Sequence, residues 1–155
     1  MADTTPADES SPLLPPSDAP SPEPTTASTM SALFWKVGAV SGASAVALGA
    51  FGAHGLKKHI SDPQKLANWG TAAQYQLVHS GAVLLASGVG AGNPVAAGLF
   101  TAGMTMFSGS LYALVLDSDR FRFMGPVTPV GGLCLIAGWL ALGFSRRGAF
   151  PPLRR

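Results

Sequence analysis

His54 and His79 are the residues of this chain whose type and setting could carry chemistry. An imidazole inside an apolar stretch can relay protons, ligate a metal or haem iron, or bridge two helices as a neutral hydrogen-bonding group. His79 lies between Leu66 and Leu116, an interval with no Asp, Glu, Lys or Arg. Gln74, Tyr75, Gln76 and Ser80 surround it and supply further hydrogen-bonding groups. His54 closes an earlier apolar segment on the same side of a membrane, so the two histidines are expected to approach each other. A bis-histidine haem or metal site needs two ligands facing one cavity, and no second deep histidine exists. His59 follows Lys57 and Lys58 and reads as a solvated loop residue touching lipid headgroups. Cys134, the only cysteine, permits no internal disulfide and no CxxC motif, and reads as a small apolar packing group. There is no acid pair within one segment and no GxSxG motif. Gly88-Val89-Gly90-Ala91-Gly92 follows no strand, so it fails the context test for a phosphate loop. No catalytic residue, metal site or cofactor is expected, and the chain is not read as an enzyme.

The elements that must position these residues follow from composition. Only 12% of the 155 residues are charged, against 47% apolar, where soluble domains carry roughly 25% charged residues. That is too little to clothe a small globule in water, and with only 10 Lys and Arg a nucleic-acid binder is excluded. A membrane-crossing helix needs about 20 mostly apolar residues. Four segments qualify: 34–53, 72–91, 95–116 and 124–144. Gly92-Asn93-Pro94 is the strong breaker that divides the uncharged interval in two. Pro126 and Pro129 fall in the first turns of the fourth segment, where a missing backbone donor costs little. The first loop, from His54 to about Thr71, holds Ser61-Asp62-Pro63-Gln64, a helix-start signature. It is expected to begin an interfacial helical segment that leads into the second span, with Trp69 and Tyr75 at headgroup level.

Lipid supplies no hydrophobic drive between helices, so close backbone approach must provide packing energy. Small residues four apart permit it: Gly38 and Gly42 in the first span, Gly98 and Ala102 in the third, and Ala137 and Ala141 beside Gly138 in the fourth. These predict a tight all-α, antiparallel four-helix bundle over 31–147. Orientation is not set by charge, because Lys36, Arg146, Arg147, Arg154 and Arg155 on one side balance Lys57, Lys58, Lys65, Arg120 and Arg122 on the other.

Residues 1–30 differ from the rest. They hold Asp3, Asp8, Glu9, Asp18, Glu23 and seven of the 13 prolines, with no Lys or Arg. Such a segment cannot bury enough surface to offset its ordering entropy and is expected to be a disordered tail. It fits neither a secretory signal nor a mitochondrial presequence. Glu9 with Leu13 and Leu14 matches an acidic dileucine sorting pattern, with a plain solvated tail as the alternative. Residues 148–155 read as a short basic tail. The cell membrane is favoured as the location, with an endomembrane or the mitochondrial inner membrane left open.

Gly49-Ala50-Phe51-Gly52-Ala53-His54-Gly55-Leu56, Trp69-x-x-Ala72-x-x-Tyr75-Gln76-x-x-His79, Met104–Ser110 and Gly125-Pro126-x-x-Pro129-x-Gly131-Gly132 with Ala137-Gly138-Trp139 occur in that order. These blocks resemble those of the transmembrane protein 256-like family of small four-span membrane proteins of unknown function. The resemblance covers about Leu33–Phe144 and leaves the acidic tail outside. It implies a four-span helical membrane protein, marks His54 and His79 as motif positions, and adds no substrate. The leading expectation is a non-enzymatic accessory or assembly protein that contacts the lipid bilayer and a membrane-protein partner or a second copy. The alternative is a small proton- or solute-linked transporter or channel using His79.

Overall fold

The computed structural model describes residues 25–88 and 92–145, and the acidic dileucine pattern, Arg146, Arg147 and the basic C-terminal tail lie outside them. Four helices run up and down in sequence: α1 (Thr26–His54), α2 (Pro63–Gly88), α3 (Pro94–Leu116) and α4 (Val127–Phe144). Each packs on its neighbour in the chain, so α2 and α3 form the middle of the bundle and α1 and α4 its flanks.

The first three helices start where a side chain meets the orphan amides of the first turn. Thr25 caps α1, its Oγ1 accepting from Ser28 N at 3.4 Å. The helix therefore includes 26–30, which the sequence reading assigned to the disordered tail. The reason is local: Pro24 is the last proline before Pro63, and nothing after Thr25 interrupts the helix. Asp62 caps α2, accepting from Gln64 N at 2.8 Å, with Pro63 following it. The expected interfacial segment and second span are one unbroken helix of 26 residues. Gly92, at φ +73°, makes the turn into α3, a conformation that favours glycine. Asn93 then caps α3 through Ala96 N at 3.0 Å and donates from Nδ2 to Ala141 O at 3.0 Å, tying the turn to α4. A 3₁₀ turn over Arg122–Met124 delays α4 to Val127, three residues later than expected from sequence.

Three stretches are long and apolar enough to cross a membrane: Thr26–Lys58, Pro94–Leu116 and Arg122–Phe144. Helix α2 is as long but more polar, and it holds more buried positions than any other helix, among them Gln76, His79, Ser80 and Ser87. These buried polar groups face the interior of the bundle, which is the arrangement a membrane interior requires.

Candidate functional site

The polar side chains of α2 divide between two faces. Gln76 and Ser80 turn toward α1 and α3, whereas Gln74, Tyr75 and His79 turn toward α3 and α4. A helix rotates about 100° per residue, so neighbours in the sequence cluster part company.

His79 is buried, and both ring nitrogens have partners. Nδ1 lies 2.7 Å from Tyr75 O, one turn back, and Trp139 Nε1 of α4 donates to His79 Nε2 at 3.3 Å. A carbonyl can only accept and an indole N–H can only donate. The two bonds therefore fix the neutral imidazole with its proton on Nδ1. The rings of Phe100 and Trp139 pack around it, with Trp139 edge-on to Phe100 at 5.1 Å between centroids.

His54 is exposed at the end of α1. Antiparallel register sets Gly52 against Trp69, so His54 lies beside the first turns of α2. About twelve residues of helix then separate it from the level of His79, roughly 18 Å along the axis. The expected approach of the two histidines does not occur. Among the described residues, no three His, Cys, Asp or Glu side chains come together as metal ligands.

Gln76 is the centre of a second cluster. Its Nε2 donates to Ser44 Oγ at 2.7 Å and Ser41 O at 3.1 Å, and its Oε1 accepts from Tyr112 OH at 3.0 Å. Ser80 donates back to Gln76 O at 2.6 Å, and Ser41 donates to Met104 Sδ at 3.2 Å. One amide thus joins α1, α2 and α3. Ser108 adds a further tie from α3 to Ala72 O of α2 at 2.8 Å. Sequence reasoning missed Ser41, Ser44, Tyr112 and Ser108. The available signal was a pair of hydroxyls one turn apart in the first span and a lone phenol in the third.

Trp69, expected at headgroup level, is a core residue. It is 4% exposed, donates from Nε1 to Leu48 O at 2.8 Å, and packs against Tyr112 at 4.6 Å between ring centroids. Gly52 makes this possible, since a Cβ there would overlap the indole. Tyr75 is half-exposed and stacks on Phe107 at 4.5 Å. Cys134 is partly buried in α4.

The packing glycines also sort by geometry. At Gly38 a Cβ would stand 3.1 Å from Ser80 O, and at Gly42 3.6 Å from Ser80 Cβ, so α1 and α2 approach there. Gly138 abuts Phe100, where a Cβ would be 2.7 Å from the ring. Ala102 is exposed, and a Cβ at Gly98 would meet Phe34 alone at 3.9 Å, so neither makes a close α3–α4 contact. That contact is made by Gly103, one residue on, against Gly131.

Between α2 and α4, which touch chiefly through His79 and Trp139, lies a cleft of about 490 Å³. Tyr75, Val78, Phe107, Leu135 and Ile136 form its apolar walls, with Gln74 at one side and Gly132 opposite.

Sequence comparison places this architecture. A family profile described as "Protein of unknown function (DUF423)" matches residues 48–132, from the last turns of α1 to the start of α4. The UPF0382 membrane protein C1782.12c of Schizosaccharomyces pombe is 38% identical over 113 residues, covering 70% of this chain and 96% of that protein. The UPF0382 membrane protein SAB0533 of Staphylococcus aureus is 44% identical over 115 residues, 71% of this chain and 91% of that one. YwdK, a UPF0382 membrane protein of Bacillus subtilis, is 37% identical over 116 residues, 71% and 92% of the two chains. No solved structure matches. With its four-helix bundle and its uncharged helices, the chain belongs to the DUF423/UPF0382 family of multi-pass integral membrane proteins, the transmembrane protein 256-like family that its sequence blocks resemble.

Proposed function

We propose that the protein is a non-enzymatic accessory or assembly factor that presents its flanking helices to another membrane protein or to a second copy. The observation that carries this reading is how the polar groups are used. Every buried side-chain nitrogen and oxygen among the described residues has a hydrogen-bond partner, His79 and Gln76 included. These groups are engaged in holding the bundle together, within a helix or between two. Large apolar side chains meanwhile stand exposed along the flanks: Leu33, Trp35, Val40 and Val46 on α1, and Leu133, Leu140 and Phe144 on α4. Helix α2 is the fourth span in this reading. It connects the end of α1 to the start of α3, which lie at opposite ends of the bundle.

A photo-crosslinking amino acid placed at Val40 or Leu133 in native membranes tests the proposal. One protein adduct of defined mass is expected from at least one position, with none from the buried control at Val83. Lipid adducts alone at both flanks would overturn it. Proton-driven flux in liposomes that disappears in His79→Gln would replace it with the transport reading, which the position of His79 on the cleft wall favours.

A further inference from the structure

We propose that the cleft between α2 and α4 is a binding site for a small amphiphile that enters from the bilayer, a molecule with a flat, ring-bearing apolar body and one carbonyl or hydroxyl group. This goes beyond the accessory role and does not depend on it.

Size narrows the occupant first. A cleft of about 490 Å³ falls in the range of small-molecule sites, roughly 300–1,000 Å³. A transmembrane helix is about 10 Å across and some 30 Å long, so it occupies several times that volume and cannot enter. The walls narrow it further. Tyr75 and Phe107 are stacked nearly parallel, 24° apart at 4.5 Å, and Trp139 stands across from them, so the surfaces suit a planar ring more than a flexible chain.

Gln74 supplies the polar requirement. It lies three turns inside α2, lines the cleft and is an exposed residue, and among the described residues no side-chain hydrogen bond engages it. An unpaired amide at membrane depth is costly. Its neighbour Gln76 is satisfied three times over, so the contrast lies in what faces each residue. A ligand oxygen beside Gln74 would accept from Nε2. His79 and Trp139 are committed to one another and serve as a fixed wall.

Gly132 is the handle for a test. A Cβ there would meet the Phe107 ring at 3.8 Å, an ordinary contact, so a larger side chain grows into the cleft without moving the backbone. The full chain in lipid nanodiscs, carrying Trp35→Phe, leaves Trp139 as the cleft reporter and buried Trp69 as the internal reference. Decylubiquinone, a planar probe with ring carbonyls, quenches tryptophan on contact. Quenching of Trp139 is expected to saturate as the probe's mole fraction rises. Gln74→Leu should raise the half-saturation point about five-fold, as loss of one neutral hydrogen bond would. Gly132→Leu should abolish saturation while helicity and elution volume stay unchanged. If Gly132→Leu does not fold, Ile136→Phe serves as a second cleft-filling variant with the same expectation. Quenching that rises without saturation, equally in the filled variants, overturns the proposal. A disulfide-linked dimer of Gly132→Cys, made with Cys134→Ser, would also overturn it, since a second copy then covers the cleft.

Discussion

Gln76 holds three helices with one amide, donating to α1 and accepting from α3. Replacing it by Leu leaves the Tyr112 hydroxyl and Ser44 facing an apolar side chain. The expected cost is about 1–3 kcal/mol, the penalty for orphaned buried polar groups, read as a lower unfolding midpoint in detergent. Adding Tyr112→Phe should recover part of the loss, because it removes one orphan. Strictly additive losses would show that the amide and phenol are not coupled. His79 was legible in the sequence, since an ionisable group in an uncharged stretch is conspicuous. Its partner Trp139, and the trio of Ser41, Ser44 and Tyr112, were not. Their roles come from how distant helices register, and no local pattern encodes that.

At the scale of the element, breakers and caps were the most legible features. Asn93-Pro94 and Asp62-Pro63 start helices where the sequence places those signals. The faces of the helices were harder to read. Spacing by four selects Ala102 as readily as Gly103, and a single residue's rotation decides which one meets α4. Gly131 and Gly132 make the point testable. A Cβ at Gly131 would lie 2.5 Å from Phe107 N, a backbone atom that cannot swing aside, whereas at Gly132 it meets only a ring at contact distance. Gly131→Ala should therefore destabilise the α3–α4 pair by about 2 kcal/mol, and Gly132→Ala should be near neutral. Equal midpoints for the two variants in thermal unfolding would refute the close approach.

For the whole molecule, the apolar pattern announced four helices but not which would lie inside. The least apolar of them, α2, occupies the middle, because polar side chains in a bilayer must face other helices. The alternating course makes a prediction about sidedness. In a Cys134→Ser background, cysteines at Lys58 and Ser118 should react with a membrane-impermeant thiol reagent from one side, and those at Thr25 and Asn93 from the other. Labelling of Lys58→Cys and Asn93→Cys from the same side would mean that α2 does not cross. The packing of each helix on its chain neighbour also bears on how the protein is made. Ser41 and Ser44 leave the ribosome before Gln76, so the amide enters the membrane with partners waiting. His79 has only its own helix until Trp139 arrives at the far end of the chain. The bond that joins α2 to α4 is thus among the last that synthesis makes available, and the two helices are tied only once the indole reaches the imidazole.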